Sequence, residues 1–228
     1  MAIVKSTLGK FSGRLGHLIL YKGRDGQMFC RSEGVMPNRK SEQQKRHCEA
    51  FGTVVKTGRY LLPVIQAGFP GEKRFPAGMQ GFIRANVNTA VTVTKINPEK
   101  AVSAQKRAPQ EFQGEIDFTR LQVADGSLEA PEGVTATVDA EEQTVRFSRQ
   151  EMGLESPNRF RDDKLYGVLV STRSEPEYRL FSLGVRGEAD ERSFKIASKH
   201  LRVEEAAVYV FATSADGRKA SPSVCLSV

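Results

Sequence analysis

Short apolar segments separated by turn residues fill the second half of the chain, and they restrict its fold more than any other feature. Turn signals such as Asp125-Gly126, Glu175-Pro176 and Asp216-Gly217 separate most of them. The segments read IDFTRLQVA, VTATVD, TVRFSR, KLYGVLVST, EYRLFSLGV, SFKIAS, AAVYVFATS and SPSVCLSV. Seven or eight short strands in about 110 residues are typical of a β-sandwich. We therefore predict an all-β sandwich domain over residues 111–228.

The first half of the chain has a different pattern, which begins with a predicted β-hairpin. Leu18–Tyr21 and Met28–Cys30 favour strands, and Asp25-Gly26 lies between them. Asp-Gly is a preferred two-residue hairpin turn because both positions tolerate positive φ.

Helices are predicted after the hairpin. Ser41 followed by Gln44 fits a capping box, and the helix that follows places apolar residues such as Phe51 and Leu62 on one side. Pro63 is expected to restart the helix, and a shorter helix is predicted over 79–91. Residues 92–110 are predicted to form a linker or an extended crossover. Residues 1–110 are thus predicted to form an α+β region with a hairpin and helices.

The charge of the chain is distributed unevenly between the two predicted parts. Residues 1–110 carry about 19 Lys and Arg against 6 Asp and Glu, whereas residues 111–228 carry about 15 against 21. A strongly basic half is thus joined to a mildly acidic one. Such a basic surface either keeps a protein soluble or binds a polyanion, with nucleic acid as the first example.

The basic residues of the hairpin and the first helix form the candidate polyanion-binding set. No helix-turn-helix, zinc-finger or RNA-recognition motif accompanies them, so binding through this set would depend on charge rather than on base sequence. The set contains Arg14, Lys22, Arg24, Arg31, Arg39, Lys40, Lys45, Lys56 and Arg59.

Catalytic and metal-binding patterns are missing from the sequence. The glycines of residues 9–16 match neither a P-loop nor a dinucleotide-binding motif, and they are interpreted as turn residues. His47 and Cys48 are adjacent on a predicted helix and point in different directions, which argues against a zinc site. Asp162 and Asp163 have the surroundings of a solvated loop. We therefore predict no catalytic residue, no metal, no cofactor and no enzymatic activity.

The amino-terminal residues and the three cysteines bear on the compartment. The start of the chain has no apolar signal-peptide core, and no stretch has the length of a membrane span. Cys30, Cys48 and Cys225 are odd in number and widely spaced, as in proteins of reducing compartments. A cytoplasmic location is expected, and release by a non-Sec route stays open.

The carboxy-terminal half resembles a fibronectin type III or immunoglobulin-like domain. The resemblance depends on PEGVTATVDAEEQTVRFS near its start and VYVFATSADGRKASPSV near its end. The chain lacks the core Trp of those domains, and Phe147 is the candidate to replace it.

The amino-terminal half resembles a family of uncharacterised bacterial proteins that carry only a domain-of-unknown-function label. The matching residues are Gly9, Gly13, Gly16, Tyr21, Gly23, Arg31, Ser32, Gln44 and Phe51. This resemblance implies a two-part architecture and no activity. The sequence thus predicts a non-catalytic interaction or assembly module with a protein partner or a second copy, and sequence-independent binding of nucleic acid or another polyanion is the alternative.

Overall fold

A computed structural model describes residues 2–3, 12–33, 41–70, 77–96, 111–173, 175–198 and 201–226. The chain divides into two compact units, Met1–Ser41 and Glu42–Val228. Its fold is a mixture of helices and antiparallel strands in several sheets. Within the described residues, no helix is both long enough and apolar enough to cross a membrane.

The first unit is a four-stranded antiparallel sheet, called here the N-terminal sheet. Its strand order is β1-β4-β3-β2. The strands are β1 (Ala2–Ile3), β2 (Gly13–Leu15), β3 (Leu18–Lys22) and β4 (Met28–Ser32). The pairing of β3 with β4 confirms the predicted hairpin.

The turn of this hairpin is longer than the predicted two-residue turn. Gly23 N–H donates to Gln27 O at 2.9 Å, and Gly26 N–H donates to Gly23 O at 3.1 Å. Gly26 has a φ of +74°, while Asp25 is not among the non-glycine residues with positive φ. A tight turn that ends in a left-handed glycine is the common three-residue hairpin loop.

The second unit begins with three helices. These are α1 (Glu42–Tyr60), α2 (Leu62–Gly68) and α3 (Ala77–Asn86). Pro63 lies in the first turn of α2, where its missing N–H costs nothing, so the predicted restart is confirmed. The predicted extension of the last helix to Val91 is wrong. Val91 instead begins strand β5 (Val91–Lys95), which pairs with β6 (Phe112–Ile116) beside α1.

Seven further strands form two sheets in the second unit. One sheet has the order β11-β8-β7, and the other has the order β10-β9-β12-β13. The strands are β7 (Val134–Asp139), β8 (Thr144–Arg149), β9 (Lys164–Ser171), β10 (Tyr178–Val185), β11 (Asp190–Lys195), β12 (Ala206–Thr213) and β13 (Val224–Leu226). A short 3-10 helix, Val203–Glu205, precedes β12.

Two apolar clusters lie on opposite faces of the four-stranded sheet. Phe147 of β8 belongs to the cluster between the two sheets, together with Leu169 and Val208. Tyr209 and Phe211 of β12 belong to the other cluster, which contains buried residues of all three helices. Strands β9 and β12 contribute to both clusters. The second unit therefore has three layers, with helices, the four-stranded sheet and the three-stranded sheet in that order.

The segment 117–133 has no regular strand, although residues 116–124 were predicted to form one. It nevertheless contributes to the core, because Leu121 and Val123 belong to the helix-side cluster. Asn86 of α3 fixes it by donating to Gln122 O at 2.8 Å and accepting from Gln122 N–H at 2.8 Å. Those side-chain bonds replace the strand pairing that the segment lacks.

The predicted domain boundary at residue 110/111 falls inside the second unit. The helices before it and strands β9 and β12 after it share one core, and β5 pairs with β6 across it. The division of the chain lies instead after Ser41.

Candidate interaction surface

One face of the N-terminal sheet carries a group of apolar residues, beside Lys22 and Ser32, which the register places on the same face. Side chains alternate along a strand, and residues opposite each other on paired strands share a face. The register places Leu15 opposite Leu18 and Leu20 opposite Cys30. We call Leu15, Leu18, Leu20 and Cys30 the apolar face. Leu15 is 68% exposed and Leu18 is 43% exposed, so solvent reaches much of this face.

The opposite face carries arginines and aromatic rings. The register places Arg14 and Arg31 opposite Ile19, and Tyr21 opposite Phe29. We call these five residues the arginine face. The rings of Tyr21 and Phe29 stack with centroids 5.7 Å apart. The Arg14 guanidinium lies 2.5 Å from the Glu33 carboxylate and is therefore partly neutralised.

The predicted polyanion-binding residues are divided between the two units. Arg14, Lys22, Arg24 and Arg31 are exposed in the first unit. Arg39 and Lys40 lie outside the described residues. The remaining three, Lys45, Lys56 and Arg59, lie on α1 in the second unit.

The α1 residues make a weaker anion-binding candidate than the N-terminal ones. Lys45 Nζ donates to both carboxylate oxygens of Glu111, at 2.9 and 2.8 Å. Lys56 is exposed at an open cleft of about 860 Å³, which Glu49 and Glu115 also line. The potential at this cleft is therefore mixed in sign.

Histidines and cysteines do not assemble into a metal site in the described part of the chain. There, no group of three or more His, Cys, Asp or Glu side chains is placed to hold an ion. His47 and Cys48 are both exposed on α1, and His200 is outside the described residues.

A second candidate site, which the sequence did not predict, lies at one end of the two sheets of the second unit. It is a pocket of about 170 Å³ where β7 begins, β8 ends and β9 begins. Three arginines, Arg149, Arg159 and Arg186, line it, and we call it the arginine pocket. They are far apart in the sequence and meet only through the sheet topology, so no local motif could reveal them.

Several N–H groups of these arginines have no hydrogen-bond partner. Arg149 donates to Val185 O at 2.6 Å and Arg186 donates to Glu129 O at 2.7 Å. Arg149 Nε, Arg159 Nε, and both Nε and Nη1 of Arg186 are buried and make no hydrogen bond. Of these, Arg159 Nε lies 3.5 Å from Glu129 Oε2 and Arg186 Nη1 lies 3.7 Å from Asp163 Oδ2, so these two are ion-paired. A buried donor without a partner costs about 1–3 kcal/mol, and more when it is charged, so this site needs acceptors.

Asp163 is part of the same charge cluster. The prediction of a solvated loop at this position is wrong, because Asp163 is buried and its Oδ2 lies 3.7 Å from Arg186 Nη1. Burial raises the pKa of Asp163, and Phe160 N–H and Arg186 oppose part of that rise. Burial also lowers the pKa of Arg186, and the negative charge of Asp163 opposes part of that decrease.

Comparison of the chain with protein-family models and with curated proteins finds no match.

Proposed function

We propose that the chain is a non-catalytic assembly module that associates through the apolar face of its N-terminal sheet. The observation that carries this proposal is the poor burial in the first unit: among residues 12–33, Met28 is the one buried side chain. A unit of about 40 residues usually needs a disulfide, a metal or association for stability. Cys30 is a free thiol. Association through Leu15 and Leu18 would supply the missing burial.

A second copy of the chain is the expected partner. Closed two-fold contacts join identical patches, so an exposed apolar face can pair with itself. The first unit carries 8 basic and 2 acidic residues, and its copies therefore repel one another. We expect association to strengthen as salt screens that repulsion.

We also infer that strands β7–β13 form an immunoglobulin or fibronectin type III-like sandwich. In that architecture the first, second and fifth strands pair in one sheet, and the third, sixth and seventh pair in the other. The orders β11-β8-β7 and β10-β9-β12-β13 follow the same division. Such domains without catalytic motifs commonly serve as interaction modules, which supports the proposed role by analogy.

Sedimentation equilibrium tests the assembly proposal. Wild-type protein should form a dimer or larger species whose population rises with salt concentration. The Leu15→Asp/Leu18→Asp variant should be monomeric under the same conditions, because two buried charges oppose the contact.

Leu154→Asp is the matched control, since Leu154 is a highly exposed leucine of the second unit. Its behaviour should equal that of the wild type. A wild-type protein that stays monomeric at every salt concentration contradicts self-association, and an equal loss in the control would locate the contact elsewhere.

Polyanion binding through the arginine face is the second candidate function. It is supported by the convergence of Arg14, Arg31 and the stacked Tyr21–Phe29 pair on one face. Stacked rings and arginines are the groups that bind single-stranded nucleic acid without sequence preference. The net charge of about +6 in the first unit favours the same ligand.

A salt titration distinguishes this candidate from assembly, since polyanion binding weakens with salt. The Arg14→Ala/Arg31→Ala variant should flatten the log–log slope for unrelated DNA sequences by about one to two units. The control variant, Arg120→Ala/Arg179→Ala, removes the same charge from the second unit. The candidate fails if both variants flatten the slope equally, or if wild type does not bind at about 50 mM salt.

A further inference from the structure

The arginine pocket combines donors that lack acceptors with an apolar wall. The side chain of Arg149 is 4% exposed and that of Arg186 is 6% exposed, so water in bulk does not reach their unpaired N–H groups. Val134, Met152 and Leu165 line the same pocket. Its volume of about 170 Å³ is roughly ten times what one water needs.

Guanidinium groups can only donate, and this restricts what can satisfy them. A carboxylate has about four acceptor positions and no hydrogen, and its planar geometry matches the guanidinium fork. A water molecule at the same place brings hydrogens that need acceptors of their own. The donors of the pocket therefore favour a carboxylate over water.

The carboxylates already present limit the charge of the ligand. Arg149 lies 3.3 Å from Asp190, Arg186 lies 3.7 Å from Asp163, and Arg159 lies within 3.5 Å of both Glu129 and Glu132. Glu151 lines the pocket as well. The lining itself holds three arginines and two glutamates, Glu132 and Glu151, a net charge of about +1, so the pocket suits a single negative charge better than a dianion such as phosphate or sulfate.

We propose that the arginine pocket binds a monocarboxylate with a short aliphatic group, which contacts Val134, Met152 and Leu165 while its oxygens accept from Arg149, Arg159 and Arg186. Two sources present this chemistry: a free short-chain carboxylic acid and the carboxyl terminus of a peptide. The proposal is independent of assembly through the N-terminal sheet, since the pocket and the apolar face share no residue.

The side-chain Nε–H resonances of the arginines give a direct test in the full-length protein. Sodium butyrate should shift the signals of the three pocket arginines at constant ionic strength, whereas butyramide, its neutral counterpart, should not. N-acetyl-glycyl-valine and its carboxy-terminal amide form the second pair of probes. A response to the free acid of that pair that is stronger than the response to butyrate assigns the site to a chain terminus, and the reverse assigns it to a free acid.

Variants check that the response comes from the pocket. Arg159 is the choice for substitution because its side chain is 23% exposed and its loss threatens folding least. Arg159→Gln should weaken butyrate binding about tenfold or more, since a charge-assisted hydrogen bond is lost. Arg146→Gln is the matched control, because Arg146 is an exposed arginine of the same strand as Arg149. It should bind like the wild type.

Four results would overturn the proposal. The first is an absence of shifts up to about 0.1 M butyrate, where nonspecific pairing of charges is strongly screened. The second is an equal response to butyramide, and the third is an equal loss of affinity in Arg159→Gln and Arg146→Gln. Binding of inorganic phosphate in preference to butyrate would also overturn the assigned ligand class.

Discussion

The core position of Phe147 was predicted from the absence of Trp in the chain. The chain has no Trp to fill the core between the sheets, and Phe147 was the predicted replacement. It is buried, with its ring 6.1 Å from that of Phe181 and 6.2 Å from that of Phe194. A Cβ on Gly167 would lie 2.7 Å from Phe147 Cζ, so the ring also requires a glycine on the facing strand. The need for a glycine at position 167 could not be predicted from the sequence, because it depends on how the two sheets pack against each other.

Phe147→Ala should lower the free energy of unfolding by about 3–5 kcal/mol, because it leaves a cavity beside the rings of Phe181 and Phe194. Urea unfolding gives the value, and Phe160→Ala, at an exposed phenylalanine, is the control with an expected loss below about 1 kcal/mol. A loss of that smaller size for Phe147→Ala would mean that the core collapses around the deletion.

Asp163→Asn should change how stability depends on pH. Burial raises the pKa of Asp163 above 3.8, so the folded state binds this proton more readily than the unfolded state. Its contribution to stability is therefore greatest below the unfolded pKa and decreases as pH rises through the folded pKa. The difference in unfolding free energy, wild type minus Asp163→Asn, should fall as pH rises above about 3.8.

Asp190→Asn should show the opposite dependence of stability on pH. Its hydrogen bond with Arg192 lowers the pKa of Asp190, so its stabilisation is present above the unfolded pKa and is lost as pH falls through the folded pKa. The difference in unfolding free energy, wild type minus Asp190→Asn, should therefore rise with pH. Urea unfolding of all three proteins across acidic pH measures both curves, and two curves of the same sign would contradict the roles assigned to burial and to Arg192.

At the scale of elements, sequence patterns correctly predicted the features that neighbouring residues determine. The hairpin, the start of α1 directly after Ser41 and the restart at Pro63 each depend on residues close together in the sequence. The strand of residues 91–95 was missed because its partner, residues 112–116, follows a long connection. The side of α1 predicted to be apolar was also partly wrong. Phe51 is exposed, whereas the buried side contains Val54 and Gly58.

Gly26→Val tests whether the turn determines the stability of the hairpin. Gly26 has a φ of +74°, and a β-branched residue resists that conformation at a cost above about 1 kcal/mol. Hydrogen exchange of the β3 and β4 amides should therefore accelerate about fivefold or more.

Gly52→Ala is the control for that experiment. Gly52 is exposed on α1, and a Cβ there would meet nothing within 4 Å. This change should leave exchange in the N-terminal sheet unaltered and stabilise α1 by up to about 1 kcal/mol. Unchanged exchange in Gly26→Val would mean that the turn does not determine the stability of the sheet.

At the scale of the whole molecule, the change of sequence pattern near residue 110 does not coincide with the division into compact units, which follows Ser41. The runs LYGVLV and AVYVFA do not alternate between apolar and polar residues. Such continuous runs are typical of strands covered on both faces, so they indicated that a further layer lies over the sheet. The helices of residues 42–86 form that layer. The missed signal was available in the sequence, whereas the arginine pocket was not.

A fragment of residues 42–228 should fold as a monomer, because it lacks the apolar face, and a fragment of residues 111–228 should not fold. The shorter fragment loses the helices that cover Tyr209 and Phe211, and it leaves β6 without its partner β5. Gel filtration and binding of a dye specific for exposed apolar surface compare the two. A shorter fragment that is monomeric and does not bind the dye would restore the boundary at residue 110.

The double coverage of β9 and β12 has a consequence for how this protein can vary. On β7 and β8 every second side chain faces solvent, so substitutions there should be tolerated at alternating positions. Nearly all of the side chains from 165 to 171 and from 208 to 213 are buried. A saturation mutagenesis screen for soluble protein should therefore show two uninterrupted blocks of intolerance at these positions. In β7 and β8 the intolerant positions should instead recur with a period of two.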